Sequence, residues 1–309
     1  MSQPVIIDCD PGTDDAIALV MATAAPELDV KAITTVAGNQ TGDKTLKNAL
    51  HIVSHLSCSI PVSEGATKPI MRPLVTAGHV HGESGLGPVS LPDSYTEPLT
   101  EKAWDLFYRS TVVEDKAIHL ITLGPLTNIA IALMKYPAIR SYISRITMMG
   151  GSAGYGNDTP AAEYNIYADP EAAKMVFASG VPITMVGLDC THQAWITDEE
   201  IKELEQFHNK GAWLACEMMK HIGCFSRKFG FPGAVMHDPA AVAAVINPRL
   251  IKTQDWYVTV ETKGRFTTGK TVVDVMNVTG NPPNVQVATH IDRSAFVQLV
   301  RKALKIHGQ

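Results

Sequence analysis

A short apolar run followed by a helical pattern recurs along the chain. PVIID (4–8) leads into DDAIALVMATA (14–24), and DVKAITTVAG (29–38) leads into TGDKTLKNALHIVSHL (41–56). KAIHLITLG (116–124) precedes PLTNIAIALMKYP (125–137), and SRITMMGG (144–151) is followed after a loop by DPEAAKMVFASG (169–180). VPITMVGLD (181–189) is followed by ITDEEIKELEQFHNKGAWLACEMMKHI (196–222). The short runs are apolar on both faces, so each predicted strand needs cover on both sides. This pattern predicts an α/β fold: a Rossmann-like, open, mainly parallel sheet with helices on both faces. Near the C-terminus, TQDWYVTVETKGRFTTGKTVVDV (253–275) alternates like a hairpin, and NVQVATHID (284–292) leads into a last helix, SAFVQLVRKALKI (294–306). Those late strands predict a mixed sheet.

Helix starts carry their own marks. Asp169-Pro170-Glu171 supplies an N-cap, a proline at the first helical position and early negative charge, and Thr197 with Glu200 fits a capping box. No low-complexity linker, internal repeat or break in composition divides the chain, so one domain over residues 1–309 is expected.

Composition narrows the function. With 309 residues and 45% hydrophobic content the chain can bury a large core. A net charge of -5 with no block of Lys and Arg offers no footprint for nucleic acid or an anionic membrane. Apolar stretches are interrupted well before the roughly 18 residues of a membrane span. MSQPVIIDCD has no signal-peptide or transit-peptide pattern, so a cytoplasmic location is expected. The five cysteines include no CxxC pair and read as free, buried thiols rather than a disulfide set or zinc site.

In an open α/β sheet, ligands bind where strands end and helices begin. The unusual polar residues lie at those junctions: Asp8, Asp10, Asp14 and Asp15 after the first strand, Asn39 after the second, and GGSAGYGNDTPAAEYN (150–165) after SRITMM. Taken singly, Asp14 reads as an N-cap and Asp15 as a first-turn acid. Taken together, carboxylates this close repel unless protons or a cation intervene, and a hard divalent cation answers the crowding. Asp10 and Asp15 can supply ligands across the Pro11-Gly12 turn. The loop lacks the alternating acids of an EF-hand and the GxxxxGK[ST] of a phosphate loop. His237-Asp238-Pro239 opens a predicted helix; on its own it reads as a helix start, with Asp238 a possible third acid.

DCDPGTDDAIAL (8–19) resembles the N-terminal signature of the nucleoside hydrolases, which include inosine-uridine-preferring and pyrimidine-preferring enzymes. Further segments match in order: TTVAGN (34–39), HGESGLG (81–87), ITLGPLTNIAIAL (121–133), MMGG (148–151), GNDTPAAEYNIYADPEAA (156–173) and MHDPAA (236–241). The resemblance spans nearly the whole chain. It implies a Ca²⁺ held by Asp10, Asp15, Asp238 and the backbone carbonyl of Leu123, where some members have Thr. It further implies that Asp14, with Asn39 or Asn165, receives ribose hydroxyls and that Asn157 and Glu163 hold the 5′-hydroxyl end. The implied reaction cleaves the N-glycosidic bond of a ribonucleoside, with Asp10 deprotonating the attacking water and His237, assisted by His81, easing departure of the base.

From the residues themselves, Asn157 suits a turn, Glu163 and Asn165 suit caps, and His81 a loop histidine. CFSRKFGFPG (224–233) is a candidate lid over the base, with Phe225, Phe229 and Phe231 to stack and Arg227 to hydrogen-bond, or else a helix end packed on the core. The expected substrate is a ribonucleoside, pyrimidine-preferring or broad, and the resemblance implies a homo-oligomer, dimer or tetramer. Two other classes stay open: a Mg²⁺-dependent phosphatase of the haloacid dehalogenase type, suggested by Asp8-Cys9-Asp10, and a non-catalytic ribose- or calcium-binding protein.

Overall fold

The computed structural model describes residues 2–306. Strand β1 (Gln3–Cys9) enters the core at once, with Val5, Ile6, Ile7, Asp8 and Cys9 all fully buried. Val5, Ile7 and Cys9 pack into one apolar layer and Ile6 into the other, as a strand covered on both faces requires. On one side β1 pairs in parallel with β2 (Leu28–Thr35), which pairs with β3 (Val62–Glu64). On the other side lie the parallel strands β4 (Ile118–Thr122), β5 (Ile143–Met149) and β6 (Ile183–Val186). Outside this sheet, β7 (Trp195–Ile196) and β8 (Ala234–Val235) form a small antiparallel pair. Strand β9 (Ile251–Trp256) is an edge of the main sheet, while β10 (Val258–Val260) and β11 (Thr271–Val273) form a separate hairpin. Strand β12 (Val285–Ile291) inserts parallel to β6 and antiparallel to β9, giving the order β3-β2-β1-β4-β5-β6-β12-β9.

Two layers of helices cover the sheet. Helices α1 (Thr13–Ala24) and α2 (Gly42–His55) are followed by the short α3 (Gly78–His81), then α4 (Ala103–Tyr108) and α5 (Thr127–Lys135). Next come α6 (Tyr164–Ala168), α7 (Pro170–Phe177), α8 (Leu188–Thr191), α9 (Asp198–Glu205), α10 (Lys210–Ser226), α11 (His237–Ile246) and α12 (Arg293–Ile306). One core layer is built by α1, α2, α10, α11 and α12, and the opposite layer by α4, α5, α7 and the β10–β11 hairpin. The expected starts are present: Asp169 accepts the Ala172 N–H at 3.1 Å, and Thr197 and Glu200 exchange both capping-box hydrogen bonds.

Two expected elements divide. The alternating segment 253–275 breaks after Trp256, because Asn284 bonds both the N–H and the C=O of Val258, at 2.7 and 3.0 Å, and turns the chain off the main sheet. The helical pattern 196–222 breaks at His208, whose φ of 49° is left-handed, and Asn209 restarts it by capping the Ala212 N–H at 2.8 Å. Among the described residues, no helix is long and apolar enough to cross a membrane.

From β1 the chain winds outward through β2 and β3, then returns at β4 on the opposite side of β1. The ends of β1 and β4 therefore flank the crevice at which an open α/β sheet reverses its winding. Asp10 follows β1, and Leu123 follows β4.

Candidate active site

The carboxylate loop is held by hydrogen bonds from its own backbone and from Asn39. Asp15, in the first turn of α1, reaches back so that Oδ2 accepts the Gly12 N–H at 2.9 Å and Oδ1 the Asp10 N–H at 3.2 Å. Asn39, from the loop after β2, gives its backbone N–H to Asp10 Oδ2 at 2.7 Å and its side-chain amide to Asp15 Oδ2 at 2.9 Å. Asp10 Oδ1 is buried and accepts no hydrogen bond among the described residues. Glycines make room for this carboxylate: a Cβ on Gly38 would lie 2.0 Å from Asp10 Oδ2, and one on Gly124 would lie 2.5 Å from Oδ1.

Asp14, Asp15 and Asp238 bring one carboxylate oxygen each within 4.8 Å of one another, all three buried. Asp238 arrives from the first turn of α11 and Asp14 and Asp15 from that of α1, so two helix N-termini converge on the group. Asp10, which the resemblance implied as a ligand, is not one of this trio. Burial, reinforced by the neighbouring negative charges, pushes Asp10 and Asp238 well above the ordinary carboxylate range and Asp15 to about 7. Asp14 is also raised by burial, with His237 pulling against the shift. Such crowding is costly without compensating positive charge. An all-oxygen donor set with an unsatisfied Asp10 oxygen fits a hard divalent cation. The Leu123 carbonyl, the other implied ligand, accepts the Asn165 amide at 2.7 Å.

The loop after β5 is braced on three sides. Glu163 caps α6: Oε1 accepts the Asn165 N–H at 3.0 Å, and Oε2 accepts those of Gly151 at 2.8 Å and Ile166 at 3.3 Å. Burial, partly offset by these N–H groups, raises its carboxyl to about 7. Asn157 Oδ1 accepts the Tyr164 N–H at 3.0 Å. Lys270 donates to the Ser152 and Ala153 carbonyls at 3.1 and 3.3 Å, while Asp189 accepts the Ala153 N–H at 2.7 Å. The Asn165 amide nitrogen is spent on Leu123 and Met149, leaving its oxygen without a partner among the described residues.

A cavity of about 480 Å³ opens above these groups. Asp14, Asn39, Asn157, Glu163, Asn165 and Asp238 line its polar side, whereas Asp10 is fully buried and does not line it. The same cavity is lined by five histidines, 79, 81, 192, 221 and 237. His81 Nδ1 accepts the Thr13 N–H at 3.2 Å, so a neutral ring carries its proton on Nε2. Burial lowers His81 to about 3, and His237, whose Nδ1 contacts Thr191 Oγ1 at 2.8 Å, to about 4 despite the Asp14 charge. Both rings are neutral at pH 7.

Phe225, Phe229 and Phe231 stand at the cavity with their rings on one another and on His192: Phe225 and Phe229 lie 5.1 Å apart, and Phe231 is 4.9 Å from His192. Arg227 does not join them. Its guanidinium is drawn away by Asp198 of α9, at 2.9 and 3.1 Å, and it lies outside the cavity wall, which corrects its expected contact with the base. His79, His192, His221 and Tyr155 line the cavity without having been singled out from sequence. They come from separate elements and share no spacing that would group them.

The profile of the family described as inosine-uridine preferring nucleoside hydrolase matches residues 5–298. A pyrimidine-specific ribonucleoside hydrolase RihA of Shewanella sp. (strain MR-7) is 49% identical over 310 residues, covering 99% of this chain and 98% of that protein. Among solved structures, a plant nucleoside hydrolase superposes with a TM-score of 0.93 at 33% identity. A purine-preferring ribonucleoside hydrolase from Gardnerella vaginalis does so with a TM-score of 0.92 at 31% identity. Each covers 99% of both chains.

Proposed function

This chain belongs to the inosine-uridine preferring nucleoside hydrolase family, and on that premise we propose that it hydrolyses ribonucleosides to base and ribose, with pyrimidine nucleosides preferred and Ca²⁺ as its cation. The observation that carries the reading is the buried carboxylate cluster with a partnerless Asp10 oxygen, set against a cavity lined by side-chain amides and by histidines.

Asp10, Asp15 and Asp238, with the Leu123 carbonyl, are the proposed Ca²⁺ ligands, and Asp14 shares their cluster. When bound, the cation lowers the pKa of water and orients sugar hydroxyls. Asp10 Oδ1 takes the proton from the attacking water, whose oxygen bonds to C1′ as the C1′–N bond breaks and its electron pair leaves with the base. Asp14 and the free amide oxygens of Asn39 and Asn165 receive ribose hydroxyls, and Asn157 and Glu163 border the 5′ end. The anionic floor favours the cationic character that the sugar develops on the way. His81, whose Nδ1 accepts the Thr13 N–H, donates a hydrogen bond from Nε2, and His237 lines the same cavity; both ease the base away as neutral donors. Phe225, Phe229 and Phe231 offer faces for the base to stack on.

The pyrimidine preference draws on a relative at 49% identity, against 31% for the purine-preferring structure. It predicts reducing-sugar release from uridine and cytidine with kcat/KM at least about 10-fold above inosine, a difference of about 1.4 kcal/mol in transition-state binding. Parity or an inosine preference in the same assay would reverse that part of the proposal.

The five cysteines are all free, which supports a cytoplasmic location. A homo-oligomer, dimer or tetramer, is proposed on the strength of exposed apolar side chains at Val272, Val275, Met276 and Val278.

A further inference from the structure

Three consecutive carbonyls of the loop carrying His81 are each held by a side chain, the first from the turn that precedes α2 and the other two from α2 itself. Gln40 Nε2 donates to Gly82 O at 2.8 Å, Lys44 Nζ to Glu83 O at 2.6 Å, and Asn48 Nδ2 to Ser84 O at 2.9 Å. Lys44 and Asn48 stand four residues apart on α2, the interval that aligns side chains along a helix face, and Gln40 extends the row from the turn before the N-cap Thr41. Asn48 is buried, and the second N–H of the same amide donates to Pro11 O at 3.0 Å. One amide therefore ties the His81 loop to the turn bearing Asp10, Asp14 and Asp15. The approach is close, since a Cβ on Gly85 would lie 2.7 Å from Asn48 Nδ2. On its other flank the loop is pinned where His221 Nε2 donates to Val80 O at 2.9 Å. Gln40, Lys44 and Asn48 do not line the cavity.

We infer that Gln40, Lys44 and Asn48 are positioning residues for His81: by fixing residues 82–84 on α2 and the turn that leads into it they hold its imidazole in register with the carboxylate loop. The inference rests on the proposed role of His81 at the leaving base. The chemistry of the rungs is specific. A primary amide offers two neutral donors to two carbonyls, whereas Asp at 48 would set oxygens against oxygens and Leu would leave both carbonyls unpaired.

The test compares uridine turnover and melting temperature for Lys44→Met, Lys44→Arg, Asn48→Leu, His81→Ala and the Lys44→Met/His81→Ala double variant. Lys44 is the more exposed rung, so its removal spares the core and remains informative if Asn48→Leu fails to fold. Misplacing a reacting group by an ångström can cost about 100-fold, so Asn48→Leu is expected to lose about that in kcat and Lys44→Met about 10-fold, with KM and melting temperature near wild type for the latter. Lys44→Arg restores turnover, and in the His81→Ala background Lys44→Met costs nothing further. Wild-type kcat in Lys44→Met, or an equal loss with and without His81, overturns the inference while leaving the role of His81 intact. Full activity in His81→Ala alone removes that role and the inference with it.

Discussion

Asp10→Asn is expected to lower kcat for uridine by about 1,000-fold or more, within the range assigned to general-base removal, while the protein stays folded. The substitution keeps shape and one carbonyl oxygen, which can go on receiving the Asn39 backbone N–H now bound at 2.7 Å. It removes basicity from the position whose other oxygen, Oδ1, is buried without a partner. It also removes one negative charge from a cluster in which burial and Asp15 together raise the Asp10 carboxyl. The melting temperature of the cation-free protein should therefore not fall. Asp14→Asn is the informative companion, because Asp14 lines the cavity and Asp10 does not. A loss seated mainly in KM for Asp14→Asn and in kcat for Asp10→Asn supports the division of labour. Near wild-type turnover in Asp10→Asn would transfer the role of base to another carboxylate, with Asp14 the first candidate.

Asp238→Asn should trade activity for stability. Burial, then Asp14, Asp15 and Asp10, raise the Asp238 carboxyl in the folded protein, and ionising it penalises the fold. For a carboxyl raised in this way, the stabilising contribution is complete below its unfolded pKa of roughly 4 and disappears as pH rises through the folded value. Asp8 and Asp15, both at about 7 through burial, act in the same direction. The buried histidines act oppositely but in a lower window. His81 at about 3 and His119 and His237 at about 4 destabilise the fold only as pH falls below the ordinary histidine range. Between pH 7 and 9 the carboxylates dominate, so chelator-treated wild-type protein should melt lower as pH rises.

Asp238→Asn flattens that slope and raises the metal-free melting temperature, because it removes the buried carboxyl whose ionisation opposes the fold. Adding Ca²⁺ should stabilise wild type strongly, Asp238→Asn weakly, and the variant should be nearly inactive. Melting curves at pH 7, 8 and 9, with chelator and with Ca²⁺, carry the test. A metal-free protein that gains stability across that range, or a variant with the full Ca²⁺ response, would dismiss Asp238 from the cation site.

What could be read from the sequence follows the range of the interactions involved. The parallel sheet was legible because strands buried on both faces write continuous apolar runs, as Val5 to Ile7 show. Local caps were legible too: Asp169 and the Thr197–Glu200 box act over three residues, a distance the sequence displays directly. The crowding at Asp8, Asp10, Asp14 and Asp15 needed no fold to be noticed.

Tertiary partners were hidden. Asp198 takes Arg227 from the cavity, Asn284 turns β10 out of the sheet, and neither pairing is marked by spacing. Glu163 was open between cap and ligand from sequence, and in the structure both its oxygens receive backbone N–H groups. His192 and His221 reach the cavity only through tertiary packing, of α10 against α1 and of α8 against β12 and α11, so no single segment announces them.

The measurement that bears most directly on the proposed function is ribose release from uridine by chelator-treated protein, before and after Ca²⁺ is added back. The account predicts no release without the cation, full recovery with Ca²⁺, and one base freed per ribose. Undiminished release after complete cation removal would contradict the cation-dependent site. Absence of release under every condition would contradict nucleoside hydrolysis itself and turn attention to phosphate esters or to binding without turnover.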